Sequence, residues 1–340
     1  MSLETTPLIS ICIPTYNGGA FIKECLEGLF TQTYSNYEVI ICDDGSKDNT
    51  VSIIKECIKG KSSITFIENE GNLGLVDNWN KCIALSKGDY IKFLFQDDHI
   101  TPGALERIAG VIEKHRPMFI TSKRKFILSP ASSENAKNYF NTYLQKFENE
   151  LGIKKDTFIE LKDVAKLASK YIGINFIGEP SVYVFKKSVV ETVGNFDKSF
   201  QQLCDLEFAL RAISNTNLFY INDVTCEFRI HDSSATVVNI NTRHFQITYF
   251  EYVNLVSRIL YDNKFRKLRD SFTISQKLKL KIYLNNKIYT ALKDDRVTGE
   301  EKNILKQFIS NYPNTGYKNF GPLFFIIGRV LKFKNERLSK

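Results

Sequence analysis

Leu8-Ile-Ser-Ile-Cys-Ile-Pro-Thr-Tyr-Asn17 and Tyr37-Glu-Val-Ile-Ile-Cys-Asp-Asp-Gly-Ser46 decide the fold. Each is a short apolar run that stops in a polar cluster, the pattern of a buried strand. Between them, Phe21, Ile22, Cys25, Leu26 and Leu29 recur at helical spacing. Outward along the chain the alternation continues. Asp48-Asn49-Thr50 offers an N-cap for a helix to residue 58. Residues 64–67 read as a third strand, 79–85 as a helix, and 90–95 as a fourth strand ending at Gln96-Asp97-Asp98. Pro102 then opens another helix. Strand–helix repeats of this length predict parallel strands joined by right-handed crossovers. Ligands of such sheets sit beyond the carboxyl ends of the strands. Three strands end in polar clusters there: Pro14-Thr15-Tyr16-Asn17, Asp43-Asp44-Gly45-Ser46 and Gln96-Asp97-Asp98-His99. All three are expected to face one crevice.

The later chain is less regular. Residues 131–170 are polar and rich in Lys, Glu and Asn, with weak helical periodicity. Residues 182–185 are strand-like, 206–213 helical, and 218–221 and 225–230 strand-like again. From His244 onward the pattern is helical with many lysines. The expected organisation is an α/β domain over 1–240 and a helical Lys-rich region over 241–340.

The chain has 340 residues, 43% hydrophobic and 25% charged, which excludes wholesale disorder. No apolar stretch approaches the length of a membrane-spanning helix, and the N-terminus shows no secretory leader pattern. Seven cysteines without a Cys-x-x-Cys pair read as reduced core thiols of a cytoplasmic protein. The net charge of +8 is unevenly placed: residues 258–340 hold 19 Lys/Arg against 7 Asp/Glu, and the remainder is mildly acidic. A basic tail suits anionic lipid head groups, an anionic substrate or nucleic acid, or is simply a solvated helical surface.

Two adjacent carboxylates at a strand end, such as Asp97-Asp98, repel unless a cation sits beside them. Hard oxygen ligands suit Mg²⁺ or Mn²⁺, which bridge phosphates. The alternative is an acidic turn capping the next helix. A carboxylate fixed at Asp43-Asp44 could accept from a base edge, with Thr15 and Tyr16 offering a hydroxyl and a ring face. No Gly-x-Gly-x-x-Gly and no Gly-x-x-x-x-Gly-Lys-Ser/Thr occurs, which disfavours dinucleotide and P-loop readings.

These clusters, with Asn72-Leu73-Gly74, Asn78, Asn80, Gly88-Asp89-Tyr90-Ile91, Gly178-Glu179-Pro180-Ser181, Gly194-Asn195-Phe196-Asp197, Asp205-Leu206-Glu207 with Arg211, and Arg229-Ile230-His231, resemble the inverting glycosyltransferases of family 2. The resemblance covers about residues 7–231. It implies a GT-A fold, an open and mostly parallel sheet flanked by helices, with a nucleotide-binding part over about 7–125 and an acceptor-side part over about 126–240. It implies transfer of a sugar from a nucleotide-diphosphate sugar, UDP-linked, to an acceptor hydroxyl with inversion, in surface polysaccharide or glycolipid synthesis. Pro14, Thr15, Tyr16, Asn17, Asp44, Asn72, Asn80 and Asp97 then hold the nucleotide sugar. Gly178 and Glu179 shape the acceptor or sugar pocket. Asp98 and His231 hold a divalent cation, Mn²⁺ or Mg²⁺, and Asp205 is the general base. The implied partners are the donor and a saccharide or lipid-linked saccharide. Cys204 stands where the family often has an acidic residue. The competing readings are a non-catalytic nucleotide-sugar-binding or scaffold subunit and a nucleotidyltransferase. The latter should show a Gly-rich basic phosphate loop that Asn17-Gly18-Gly19 does not provide.

Beyond His231 only residue types speak. Gly321-Pro322-Leu-Phe-Phe-Ile-Ile-Gly328-Arg329-Val-Leu331 is apolar, flanked by Lys318, Lys332, Lys334 and Arg337. It is too short to span a bilayer. One reading lays it in an anionic membrane interface on the cytoplasmic face; the other packs it on the core or on a second subunit of a homo-oligomer. Nucleic acid is not an expected partner, because the lysines are dispersed among aliphatic residues without a binding motif.

Overall fold

The computed structural model describes residues 6–128, 146–231 and 245–312. The chain divides into two compact units. The first comprises Met1–Glu160, Asn175–Lys198 and Cys204–Asp232; the second comprises Leu161–Ile174, Ser199–Leu203 and Ser233–Lys340. The division therefore does not fall at residue 240 alone. Two short segments of the expected acceptor-side part pack with the C-terminal helices instead.

The first unit is built on a nine-stranded sheet. β1 (Ile9–Thr15), β2 (Tyr37–Asp43), β3 (Ile64–Glu68) and β4 (Tyr90–Phe93) are parallel, in the order β3-β2-β1-β4. Their crossovers are α1 (Ile22–Phe30), α2 (Thr50–Cys57) and α3 (Leu75–Leu85). α1 buries Ile22, Cys25, Leu26 and Leu29, one face of an amphipathic helix. β1 is buried along its whole length, as expected of a strand covered on both faces. These strands and helices follow the alternation of the sequence. β5 (His99–Ile100) and α4 (Ala104–His115) come next. Helix α4 starts after Pro102-Gly103, with Gly103 left-handed at φ 72°.

Past α4 the sheet becomes mixed. β6 (Phe119–Leu128) and β9 (Leu218–Ile230) pair in parallel, while β8 (Val184–Lys186) pairs antiparallel with β4 and β6. β5 and β7 (Thr157–Ile159) also pair antiparallel with β9. β6 has no counterpart among the expected strands. β9 is one strand of 13 residues rather than two, because Asn222-Asp223 is absorbed by a bulge opposite Ser122-Lys123 instead of forming a turn. Helices α5 (Lys146–Leu151), α7 (Ser188–Val193) and α8 (Cys204–Asn215) complete this unit. Nearly every residue of α8 is buried, so it is an interior helix. None of the seven cysteines, all among the described residues, forms a disulfide, and six are buried, consistent with small hydrophobic side chains.

The second unit is helical: α6 (Leu161–Tyr171), α9 (Glu251–Tyr261), α10 (Arg266–Asp270), α11 (Ile274–Lys293) and α12 (Gly299–Ser310). Among its described residues Glu251 is fully buried and held by three backbone donors. Oε1 accepts from the Gln201 N–H at 2.7 Å, and Oε2 from the N–H groups of Gln202 (2.9 Å) and Leu203 (2.8 Å). A buried carboxylate needs such donors, and here they tie the 199–203 segment to α9. Among the described residues no helix is long and apolar enough to cross a membrane. The run at 321–331 lies outside the described residues.

Candidate active site

The carboxyl ends of β1 and β2 are locked to each other. Asp44 N–H donates to the Thr15 carbonyl (2.8 Å), and the Thr15 hydroxyl donates to Asp43 Oδ2 (2.8 Å). Asp43 also receives Ser46 N–H and Oγ at 2.8 and 2.6 Å. Pro14 is buried at the strand end. Asn17 adopts a left-handed φ of 47°, with its N–H on Ser46 Oγ and its Oδ1 on the Lys47 N–H, both at 2.8 Å. Small polar Asn tolerates that conformation better than most residues. The Tyr16 ring is left 46% exposed at this edge.

Asp44 is buried, and its oxygens accept from Asn69 Nδ2 (2.9 Å), Leu73 N–H (2.8 Å) and Gly74 N–H (2.9 Å). A carboxylate offers about four acceptor positions, so one remains. Asp44 thus first shapes the loop that carries Asn72, whose side chain is exposed. Asn69 also donates to Asn78 Oδ1 (3.1 Å) and accepts from Lys81 Nζ (2.6 Å), a network behind the loop. Asn80 is engaged on Phe196: its Nδ2 donates to the Phe196 carbonyl (2.9 Å) and its Oδ1 accepts the Phe196 N–H (3.0 Å). It helps to fix the Gly194–Asp197 turn, with one amide hydrogen and one oxygen lone pair beyond these two bonds.

The β4 end joins the same edge through Gln96. Its Oε1 accepts the Tyr16 N–H (2.9 Å) and its Nε2 donates to the Tyr16 carbonyl (3.0 Å). Asp97 and Asp98 follow and diverge. Asp97 Oδ2 lies 2.9 Å from His231 Nε2, and both side chains keep 17% of their surface exposed. The His231 ring also packs on Phe21 at 4.5 Å between centroids. Asp98 is 2% exposed, with one oxygen on the Ser181 hydroxyl and the other on the Arg229 N–H at 3.0 Å. Burial, and after it the neighbouring Asp97, push its carboxyl well above the usual range. Asp98 was expected to hold the cation, and in this structure it is engaged by the protein. Its acceptors face protein donors, and Asp97 is the carboxylate beside His231.

Asp98 leads on to the 175–181 segment. Lys92, fully buried in β4, donates to the carbonyls of Phe93 (3.0 Å) and Ser181. Gly178 has φ 133°, and a Cβ there would stand 2.5 Å from Val182 Cγ2, so only glycine fits. Its N–H donates to Asn175 Oδ1 (3.1 Å) and its carbonyl accepts the Tyr183 hydroxyl (2.5 Å). Glu179 Oε1 lies 3.4 Å from Arg124 Nη1, while its Oε2 is buried without a hydrogen bond. That orphaned oxygen is costly unless something binds it.

Asn175 Nδ2 donates to Asp205 Oδ2 at 2.7 Å, and Leu206 N–H holds Oδ1 at 2.6 Å. Loss of hydration dominates over those donors and pushes Asp205 up to about 7, with Glu179 adding in the same direction. Its helix is held by Arg211, which pairs with buried Glu207 through Nε and Nη2 (2.8 and 2.7 Å) and donates to the carbonyls of Val193, Gly194 and Asn195. Hydrogen bonds thus join Asp44 to Thr15, Tyr16 to Gln96, Asp98 to Ser181, Gly178 to Asn175 and Asn175 to Asp205, and short stretches of backbone link these pairs. Lys92, Asn69 and Asn175 belong to no motif in the sequence, and a lysine inside the apolar 90–95 run is the one signal the sequence carries for them.

The chain matches the family model "Glycosyl transferase family 2" over residues 10–168. It is 30% identical over 240 residues to an uncharacterised glycosyltransferase of Haemophilus influenzae, covering 69% of this chain and 74% of that one. It spans 65% of the length of an uncharacterised Mycobacterium tuberculosis protein, at 28% identity over 63% of this chain. Among solved structures, residues 1–349 of Staphylococcus aureus TarS with UDP-GlcNAc align at TM-score 0.60 and 15% identity, over 98% of this chain and 92% of that one. The mannosyltransferase PcManGT of Pyrobaculum calidifontis, with GDP-Man and Mn²⁺, aligns at TM-score 0.55 and 14% identity, over 96% and 87%. At these identities the structures speak to the fold, which they share with the sheet described above.

Proposed function

This chain belongs to glycosyl transferase family 2, and from that premise we propose that it moves a sugar from a UDP-linked donor to an acceptor hydroxyl with inversion, Asp205 acting as general base. The observation that carries this reading is the set of hydrogen bonds, linked by short stretches of backbone, between the ends of β1, β2 and β4, the 175–181 segment and Asp205. It supports a single site in which Tyr16, the acidic pair and Asp205 act together.

Tyr16 supplies an exposed ring for a base to stack on, and the Asp44 N–H holds the carbonyl of the residue before it, Thr15. Asp97 and His231 are the residues that would hold a divalent cation. A carboxylate oxygen and an imidazole suit Mn²⁺, and one carboxylate suits Mg²⁺. Among the described residues no group of three His, Cys, Asp or Glu side chains surrounds a common point, so diphosphate oxygens and water would complete the shell. Such an ion, when bound, offsets the charge that develops on the leaving diphosphate. Asp205 takes the proton of the acceptor hydroxyl as its oxygen bonds to the anomeric carbon. The bond to the diphosphate oxygen breaks on the opposite side and its electron pair leaves with the nucleotide. A base near pKa 7 is well matched to that transfer. The orphaned Glu179 oxygen would accept a hydroxyl of the sugar or acceptor. The acceptor is a saccharide or lipid-linked saccharide of a surface polysaccharide or glycolipid.

The test is release of nucleoside diphosphate from a panel of nucleotide sugars with acceptor present. Asp205→Asn should lose about 10²–10⁴ in turnover while retaining donor affinity. Transfer at the parent rate would remove Asp205 from the mechanism.

A further inference from the structure

We propose that the start of α11, with the basic segment before it, is a docking surface for an anionic lipid bilayer. The inference goes beyond sugar transfer and does not depend on it. It rests on a stripe that runs out of the second unit's core into solvent. Ile282 is 7% exposed; one turn earlier Leu278 is 48% exposed, and one turn earlier again Ile274 is 89% exposed. These residues are spaced i, i+4, i+8 and share one face of the helix. This stripe, on a different side of α11 from Leu280 and Leu284, therefore continues for two turns beyond anything that covers it among the described residues. Fraying does not explain the exposure. Thr273 and Gln276 form a reciprocal capping box, with the Gln276 N–H on Thr273 Oγ1 at 3.2 Å and the Thr273 N–H on Gln276 Oε1 at 2.8 Å. The helix start is thereby fixed and presents Ile274 at its tip.

The surroundings are cationic. Residues 263–281 contain seven Lys/Arg and one acidic residue, Asp270. α10 and the turn before it bury Phe265 and Leu268 and leave Lys264, Arg266 and Lys267 exposed. On α11, Lys277 and Lys281 lie within about 60° of Ile274 around the axis, at roughly 100° per residue. Long aliphatic stems there can follow Ile274 and Leu278 inward while the ammonium groups stay level with phosphates. Two protruding aliphatics are far short of the roughly 20–30 residues a side of a stable protein interface. Two protruding aliphatics beside Lys277, Lys281 and the basic segment before them suit, by contrast, the interface of acidic lipid.

The test uses the full chain with vesicles of phosphatidylcholine, alone or mixed with phosphatidylglycerol. Co-sedimentation is expected with the mixed vesicles only, and added salt should release the protein. Ile274→Ser/Leu278→Ser should partition at least about tenfold more weakly, with an unchanged circular dichroism spectrum and unchanged donor binding. Ile274→Trp, read against the single native Trp79, should shift its emission to the blue and be quenched by brominated lipid on the mixed vesicles. Equal partitioning of the double variant, or an unshifted Ile274→Trp emission, would overturn the proposal. So would a dimer in solution that the double variant dissolves, since that would assign the patch to a second copy.

Discussion

At the scale of single residues, environment separates carboxylates that the sequence presents as equals. Asp97 and Asp98 are neighbours, and the sequence shows an acidic pair at a strand end. Which of the two turns inward depends on Ser181 and on the Arg229 N–H, more than 80 positions away. Asp98→Ala should lower the melting temperature, because the buried Ser181 hydroxyl loses its acceptor, at about 1–3 kcal/mol, and the part-buried Arg229 N–H loses its own. Asp97→Ala should leave the melting temperature almost unchanged and weaken donor binding only when Mn²⁺ is present. Differential scanning fluorimetry with and without donor and Mn²⁺ separates the two. Asp205 was legible as the acidic residue opening a helix, but its pKa was not, since burial sets it. With the base protonated in acid, kcat/KM should rise with pH through about 7 and then level, and Asp205→Asn should lose that limb. Stability moves the other way. The folded chain keeps this proton up to about pH 7, whereas an unfolded Asp releases it near 3.9, so this contribution is lost as pH climbs between those values. Asp205→Asn should therefore gain stability over the parent as pH rises from about 4 to 8, in paired thermal melts.

At the scale of elements, the alternating first half was readable because each strand is a continuous apolar run and each crossover helix has a single apolar face. The mixed half was not. β6 carries Lys123, Arg124 and Lys125, whose charges break the apolar pattern although the strand pairs with β9 along its whole length. α8 was easy to see as a helix. Its anchoring by Arg211 was visible only as a residue in a motif, because three of its five partners are backbone carbonyls of the Val193–Asn195 turn, and residue types say nothing about carbonyls. Removing Arg211 would take the Nε and Nη2 donors away from the buried Glu207 carboxylate. Arg211→Ala should cost about 3–5 kcal/mol in chemical denaturation, and Arg211→Lys should recover little, lacking the planar fork that serves Glu207 and the turn together.

At the scale of the whole molecule, the charge asymmetry anticipated a helical, basic C-terminal region. It could not anticipate that Leu161–Ile174 and Ser199–Leu203 join that unit, since the 199–203 tether is three backbone N–H groups on one buried carboxylate, Glu251. Ligand linkage acts on the chain as a whole. A UDP-sugar at 100 times its dissociation constant should stabilise the protein by about 2.7 kcal/mol if it binds only the folded form. A GDP-sugar at equal concentration should give less, and a reversed order in a thermal-shift panel would reassign the nucleotide. The central claim is that the ends of β1, β2 and β4, with the 175–181 segment and Asp205, enclose one sugar-nucleotide site. Its most direct test is a crystal grown with UDP and Mn²⁺, with the anomalous signal of manganese located. The account predicts one manganese peak on Asp97 and His231, with the uracil ring against Tyr16 and the diphosphate on the side facing Asp205. Manganese and nucleotide bound away from Asp97 and Tyr16 would contradict it.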